Sequence, residues 1–383
     1  MIVKRILQKE IERYFNDIPV TAIVGARQVG KSTLAKELLK SKKNVIYLDL
    51  EKSSDKQMLS DPGAFFEMNR SKIICIDEIQ LYPGLFAEMR SFIDAYPDTK
   101  FIILGSSSPE LFRQSSETLA GRIFYYELSP FLYPEIASKT DMQTYRLRGG
   151  LPLSILARED KLAFVWLHNY IRTFLERDLR MFGYNIAPET IRRFWEMAAH
   201  LNGQVLNYSL FANSLGVSQP TVKRYVDILQ HTFMLRIIRP YYVNIKKRLV
   251  KSPKLYFRDT GVLHALLNIT DFHQLYSHPV YGSSWEITVI ENIIHLFPDW
   301  QFYYYRTAKG VELDLILQKG NRVAAIEIKS SSAPAVTKGF WTALKDIGAT
   351  EAYIIAPVST PYPLKDDVMV YPLEEFLKLR VLD

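Results

Sequence analysis

Residues 19–40 read PVTAIVGARQVGKSTLAKELLK, and no other stretch limits the possible folds so tightly. A β-rich run, Val20–Val24, leads into Gly25-Ala26-Arg27-Gln28-Val29-Gly30-Lys31-Ser32 and then into an amphipathic helix carrying Leu34, Leu38 and Leu39. This is G-x-x-x-x-G-K-[ST] in a strand–loop–helix setting. The glycines let backbone N–H groups close around phosphate oxygens, at a helix N-terminus whose dipole favours anions. Gly25, Ala26, Arg27, Gln28, Val29, Gly30, Lys31, Ser32 and Thr33 are therefore expected to hold ATP. Lys31 would reach the β- and γ-phosphates and Ser32 would ligate Mg²⁺. Such a unit implies an α/β fold around a parallel sheet.

Further strands suit the same sheet. NVIYLDLE (44–51) is an apolar run ending in acids, and KIICIDEIQ (72–80) is a buried parallel-strand run ending in Asp77-Glu78. There Asp77 would hold the magnesium through water and Glu78 would polarise the attacking water. Strand-end acids that merely cap are the plainer alternative. Cys75 reads as a small core residue. KFIILGSSSPEL (100–111) ends in Ser106-Ser107-Ser108, where a hydroxyl would sense the γ-phosphate or, as Ser108, cap a helix. LAGRIFYYELSPF then supplies Arg122 as a phosphate-sensing or trans-acting arginine.

Composition bounds the rest. At 383 residues, 48% hydrophobic and 13% aromatic, the chain is a folded protein of two or three domains, not a disordered one. No apolar run approaches the ~20 residues that cross a bilayer, so no membrane partner is expected. A single cysteine rules out an intrachain disulfide framework and a multi-cysteine zinc site. With an opening, MIVKRILQKEIERYF, unlike a signal peptide, this suggests a cytoplasmic protein.

The net charge is +7, mild for this length. From His231 to Arg258, however, stand Arg236, Arg239, Lys246, Lys247, Arg248, Lys251, Lys254 and Arg258 with no acid between them, a candidate phosphate-facing surface or a solvated loop. Residues 160–200 are helical by pattern, and Phe164, Trp166, Tyr170 and Phe174 read as core. The acids and arginines of RTFLERDLR read as helix-surface pairs. In NYSLFANSLGVSQPTVKRYVDILQHTFMLRIIRPYY, a helix with Leu210, Phe211 and Leu215 stops at Gly216. Ser218 then caps a second helix with Pro220 in its first turn. Val222, Tyr225, Val226 and Leu229 would face inward, leaving Gln219, Thr221, Lys223 and Arg224 outward. That is a helix-turn-helix layout, and FMLRIIRPYY with KSPKLYFRD suits the strands of a wing. Residues 219–258 are thus expected to contact duplex DNA, the alternative being intramolecular packing or a protein partner. Asp259, after the wing, reads as structural.

VELDLILQKGNRVAAIEIKSS (311–331) reads as a hairpin turning on Gly320-Asn321, so that residues whose numbers sum to 641 stand opposite each other. Leu313, Leu315 and Leu317 would then meet Ile328, Ile326 and Ala324 on one apolar face, while Glu312 meets Lys329 and Asp314 meets Glu327 on the other. Two opposed carboxylates repel, and Mg²⁺ or Mn²⁺ held by Asp314 and Glu327 would remove the repulsion. Lys329 would position water or stabilise developing charge, and Arg306 would orient DNA or Glu312.

GARQVGKSTL, YLDLE, IDEIQ, ILGSSS, LAGRI, RGGLP and YIRTFLERDL, in that order, resemble prokaryotic AAA-type ATPases of the AAA_14 group. These carry a C-terminal DUF4143 region and lie close to STAND-like ATPases. The resemblance implies an ASCE P-loop core followed by a small helical segment around RGGLP, where Pro152 would border the nucleotide. D-x(12)-E-x-K in turn resembles the PD-(D/E)XK nuclease superfamily, although Glu312-Leu313-Asp314 lacks the proline of that name. In that superfamily a helical glutamate points toward the metal, a role that falls here on Glu286, which shares a helix face with Val289, Ile290, Ile293 and Phe297. The expected organisation is a P-loop AAA-like domain (1–140), a helical segment (141–200), a winged helix-turn-helix (201–265) and an α/β restriction-endonuclease-like domain (266–383). The expected activity is Mg²⁺-dependent ATP hydrolysis coupled to DNA binding or cleavage. A STAND-like signalling switch with a degenerate nuclease fold, binding a protein partner or a second copy, is the alternative.

Overall fold

Val20–Val24 is buried at all five positions, as a strand flanked at both edges and on both faces must be. The computed structural model describes residues 2–107, 119–242, 248–365 and 367–383. In it this segment, β1, joins β2 (Val45–Asp49), β3 (Ile73–Asp77), β4 (Lys100–Gly105) and β5 (Ile123–Glu127) in an all-parallel sheet of order β2-β3-β4-β1-β5. The register sets Val24 opposite Gly105 and Asp49 opposite Asp77. The residues that follow β1, β3 and β4 therefore emerge at one edge of the sheet, where parallel strands build their sites. One face is packed by Phe65, Phe66, Leu85, Phe86, Met89 and Phe92. Phe66 meets Phe101 edge-on with ring centroids 5.1 Å apart.

The chain divides into two units. The first comprises Met1–Phe131, Arg177–Asn185 and His231–Phe233, and the second Leu132–Glu176, Ile186–Gln230 and Met234–Asp383. This differs from four sequential segments because the middle helices share a core with later residues. Trp195, for example, stacks on Phe257 with an interplanar angle of 8°.

In the second unit, helix Tyr208–Leu215 stops at Gly216, which takes φ 68°. The Ser218 hydroxyl accepts from the Thr221 N–H at 3.3 Å where helix Gln219–His231 begins. Val222, Tyr225, Val226 and Leu229 are buried while Gln219, Lys223 and Arg224 are exposed, as the sequence pattern requires. Leu210 departs from it: 45% exposed, it faces out and not into the core. After this helix β6 (Leu235–Ile238) pairs antiparallel with β7 (Lys254–Phe257), and Val205 bridges Lys254.

The remaining strands, β8 (Gln301–Arg306), β9 (Glu312–Lys319), β10 (Arg322–Ile328), β11 (Glu351–Ile355), β12 (Tyr362–Lys365) and β13 (Val368–Tyr371), form a mixed sheet of order β12-β13-β11-β10-β9-β8. The β9–β10 hairpin has the expected register from Arg322↔Lys319 to Ile326↔Leu315, around Gly320 at φ 59°. Beyond that point the expectation fails. Against β8, β9 passes from the Tyr303↔Ile316 pair to the Tyr305↔Leu313 pair with an extra residue, a β-bulge. Leu313 consequently lies in the same core cluster as Ile316, Val323 and Ala325, not on an unbroken apolar face with Leu315 and Leu317. The Ile328 N–H donates to the Asp314 carboxylate at 2.8 Å, where the hairpin's simple continuation would have set Asp314 against Glu327. No helix among the described residues is long and apolar enough to cross a membrane.

Candidate functional site

At the sheet edge above β1, Gly25 and Gly30 take φ 154° and 105°, and a Cβ on Gly25 would lie 2.3 Å from the Leu128 carbonyl oxygen. Only glycine permits that approach. Val29 is fully buried and anchors the loop, while Gln28 and Thr33 face out. The buried Lys31 ammonium donates to the carbonyls of Gly25 and Ala26, both at 2.9 Å, and to the Ser106 hydroxyl at 3.0 Å. Burial lowers the Lys31 pKa against the pull of Glu78 and Asp77. Ser106 donates in turn to Glu78 at 2.9 Å, and the Gln80 amide holds the other oxygen of that carboxylate. Beside this chain the Ser32 hydroxyl donates to Asp77 at 2.7 Å, and the Tyr47 hydroxyl donates to the same oxygen. Glu78 itself takes φ 55°, a left-handed conformation uncommon outside glycine.

Arg27 faces a second set of acids. Its guanidinium bonds Asp178 at 2.5 Å and Glu51 at 2.8 Å. Burial opposes its charge, but Asp178, Glu78 and Glu51 together raise its pKa. For Asp178 burial outweighs Arg27 and raises the carboxyl above its ordinary range.

In the second unit Glu286, Asp314 and Glu327 share one electrostatic neighbourhood with two lysines. Lys254, 3% exposed in its side chain, approaches Glu312 at 2.5 Å and Asp314 at 4.0 Å. Tyr256 donates to Glu286 at 2.7 Å, Lys329 holds Glu327 at 2.5 Å, and Arg306 lies 3.3 Å from Glu312. Burial, then the charge of Asp314, pushes the carboxyls of Glu286 and Glu327 up, the latter to about 8. Burial would pull Lys254 down, but Asp314, Glu286 and Glu312 outweigh it and keep the ammonium charged. Among the described residues no three His, Cys, Asp or Glu side chains are placed to hold a metal ion. The expected metal set of Glu286, Asp314 and Glu327 is therefore not assembled. One oxygen of Asp314 accepts the Ile328 N–H, and the neighbouring side-chain cations are Lys254, Lys329 and Arg306.

Residues 17–137 match the family model described as an AAA domain (AAA_14), and residues 281–376 match a domain of unknown function, DUF4143. Residues 139–273 match a second domain of unknown function, DUF8612. An uncharacterized protein of Mycobacterium tuberculosis is 38% identical over 384 aligned residues, covering 100% of this chain and 86% of that protein. The chain belongs to the family of AAA-type P-loop proteins that carry a C-terminal DUF4143 domain. Similar solved structures include the Walker-type ATPase of Pyrococcus abyssi, 15% identical over 70% of this chain and 96% of that one, at a TM-score of 0.47. A signal transduction ATPase with numerous domains from Pyrococcus horikoshii is 13% identical over 77% of this chain and 48% of that one, at a TM-score of 0.31.

Within the AAA_14 domain, Lys31, Ser32, Asp77, Glu78 and Ser106 come together. Arg122 does not join them. Its carbonyl accepts from the Val20 N–H at the start of β1, and its side chain pairs with Asp94 at 2.6 Å. It thus stands at the far edge of the sheet, a five-residue strand or roughly 17 Å from the loop, too far to sense a phosphate held there. Pro152 opens helix Pro152–Ile155 in the second unit. Ser108, Lys246 and Lys247 lie outside the described residues.

The basic run before the DUF4143 domain is also reduced. Arg239, Arg248 and Lys251 are exposed, but Lys254 is buried, and Arg236 and Arg258 bind Glu291 within the fold. Their charge pulls the Glu291 carboxyl well below the usual range despite its burial. Asp259 is structural as expected. It caps helix Thr260–Leu266 and accepts from the Gly150 N–H at 2.8 Å.

Sequence reasoning missed three groups. Asp178 looked like any helix-surface acid of RTFLERDLR. Tyr47 sat in a strand pattern whose register was unknown. Arg5, which donates to the Val29 carbonyl at 3.1 Å and the Ser129 carbonyl at 2.5 Å and so braces the loop from behind, carries no motif. Only the position of Asp178, in a charged run downstream of a P-loop, offered any signal.

Proposed function

We propose that this chain is a Mg²⁺-dependent ATPase whose nucleotide state controls a duplex-DNA-binding winged helix. The observation that carries the ATPase reading is the continuous hydrogen-bonded chain Lys31–Ser106–Glu78, with Ser32–Asp77 alongside. The hydroxyl of Ser32 and the carboxylate of Asp77 are hard oxygen donors that suit Mg²⁺. Bound there, the ion would neutralise charge on the β- and γ-phosphates. Lys31 would exchange its loop carbonyls for phosphate oxygens, Ser106 would report on the γ-phosphate, and Glu78 would orient the attacking water. Arg122, remote from its own loop, would serve only a neighbouring copy's nucleotide.

The DNA reading is supported by Gln219, Lys223 and Arg224 on the exposed face of helix Gln219–His231, with Arg239, Arg248 and Lys251 exposed around the β6–β7 ribbon. The order helix Tyr281–Leu296, β8, β9, β10, helix Lys338–Ile347, β11 supports reading the DUF4143 domain as a restriction-endonuclease-like fold. Glu286, Asp314 and Glu327 do not converge as a three-ligand set among the described residues, so the reading leaves cleavage aside. Inward use of Arg236, Lys254 and Arg258 favours a second reading, a nucleotide-controlled switch that binds a protein partner.

Two measurements test these readings. Steady ATP turnover that Lys31→Ala abolishes is expected; turnover unchanged by that substitution would end the ATPase proposal. Duplex affinity that falls steeply with salt is expected for phosphate contacts, whereas no salt-dependent affinity would favour the protein-partner switch.

A further inference from the structure

We infer that the ammonium of Lys254 takes the place of a divalent cation in the carboxylate cluster of the mixed sheet, so that the native DUF4143 domain is closed to metal there. The cluster contains four carboxylates, Glu286, Glu312, Asp314 and Glu327, and the chain sets three cations against them. Lys254 lies against Glu312 at 2.5 Å and Asp314 at 4.0 Å, Lys329 against Glu327 at 2.5 Å, and Arg306 against Glu312 at 3.3 Å.

Lys254 is not a loose surface chain folded inward for want of a partner. It stands in β7, where its backbone pairs with Ile238 and bridges Val205, and its side chain is 3% exposed. It also lies 5.4 Å from the Tyr304 ring centroid and 3.4 Å from the Tyr256 hydroxyl. An ammonium so enclosed is held by three elements at once: the ribbon through β7, the sheet through Glu312 and Asp314, and helix Tyr281–Leu296 through Tyr256 and Glu286. Taking one partner away would leave uncompensated buried charge, the costly way to break such a cluster.

A hard divalent cation needs several oxygen ligands free to converge. Here Asp314 Oδ2 accepts from the Ile328 N–H and Glu286 Oε2 from Tyr256, while Lys254 lies among the oxygens that would have to converge. Oε2 of Glu327 is buried without a hydrogen-bond partner among the described residues. With the Lys254 ammonium set between Glu312 and Asp314, the carboxylates are not free to converge on a divalent ion. The cluster therefore works as an internal ionic joint between ribbon, sheet and helix.

The test is Mn²⁺ titration of the full chain without nucleotide, read by calorimetry and by the Mn²⁺ electron paramagnetic resonance signal. Wild type is compared with Asp314→Asn, Lys254→Met, and Lys254→Met combined with Asp314→Asn. Methionine keeps the length and apolar stem of lysine while removing its charge. The expected result is no Mn²⁺ binding in wild type that Asp314→Asn removes, one new Mn²⁺ per chain in Lys254→Met, and loss of that ion in the double variant. A wild-type site that Asp314→Asn abolishes would overturn the inference, and so would a folded Lys254→Met chain that gains no site. If Lys254→Met does not fold, wild type against Asp314→Asn decides alone.

Discussion

Arg27 and Asp178 show how a single residue can be decisive and still invisible in sequence. Lys31, Ser32 and Asp77 were legible because their chemistry is tied to local motifs at a strand end. Asp178 acts on the same loop from 151 residues away, and nothing in its own helix distinguishes it from a solvated acid. Losing it would leave Arg27 with Glu51, so Asp178→Ala is expected to raise the KM for ATP several-fold while Asp178→Asn, which can still accept a hydrogen bond, raises it less. Equal effects from the two in steady-state kinetics would count against a positioning role. Glu327 permits a second prediction. Its folded pKa of about 8 exceeds its unfolded value of about 4.3, so the folded state binds the proton more tightly. That contribution is fully present below about pH 4.3 and is lost as pH rises through about 8. Glu327→Gln, which resembles the protonated acid, should therefore raise the denaturation midpoint at pH 9 and change it little at pH 5. The opposite pH order in urea melts would contradict the assignment.

Among elements, strands with locally fixed ends were read more faithfully than those set by third partners. The P-loop strand follows from its motif, and the Gly216–Ser218 turn from capping chemistry. The β9–β10 register was legible as far as Ile326↔Leu315, because two-residue alternation and the glycine turn fix it. The bulge at Asp314 was not, since it arises from pairing with β8, whose register no local pattern specifies. The same blindness affected the basic run: Arg236 and Arg258 turn inward to Glu291 of helix Tyr281–Leu296 and Lys254 to Glu312 and Asp314 of β9, which charge counting cannot foresee. Two substitutions test the elements directly. Gly25→Ala must either clash with the Leu128 carbonyl or distort the loop, so nucleotide affinity should drop by at least about tenfold, that is about 1.4 kcal/mol. Phe66→Ala, at the centre of the aromatic packing, should cost about 3–5 kcal/mol by chemical denaturation, and a cost below about 1 kcal/mol would show that the sheet face is not packed as described.

On the scale of the whole molecule, the chain leaves the first unit after Phe131 and contributes to it again through Arg177–Asn185 and His231–Phe233. Sequence alone suggested consecutive beads, because motif order says nothing about which later segments return to an earlier core. The return at Arg177–Asn185 carries Asp178, and the π-helical turn Phe174–Asp178 continues the chain from helix Asp160–Thr173, so the ligand of Arg27 is covalently continuous with the second unit. If nucleotide state controls DNA binding, duplex affinity should differ between ATP-loaded and nucleotide-free protein, and Lys31→Ala should erase the difference. Replacing Lys223 and Arg224 by alanine should reduce the salt slope of binding by about 2 if each meets a phosphate. Hydrolysis turns most directly on Glu78. In Glu78→Gln, with fluorescent ATP binding and phosphate release measured on one preparation, binding should be retained and hydrolysis reduced by about two orders of magnitude or more; hydrolysis at the wild-type rate would contradict the role given to Glu78.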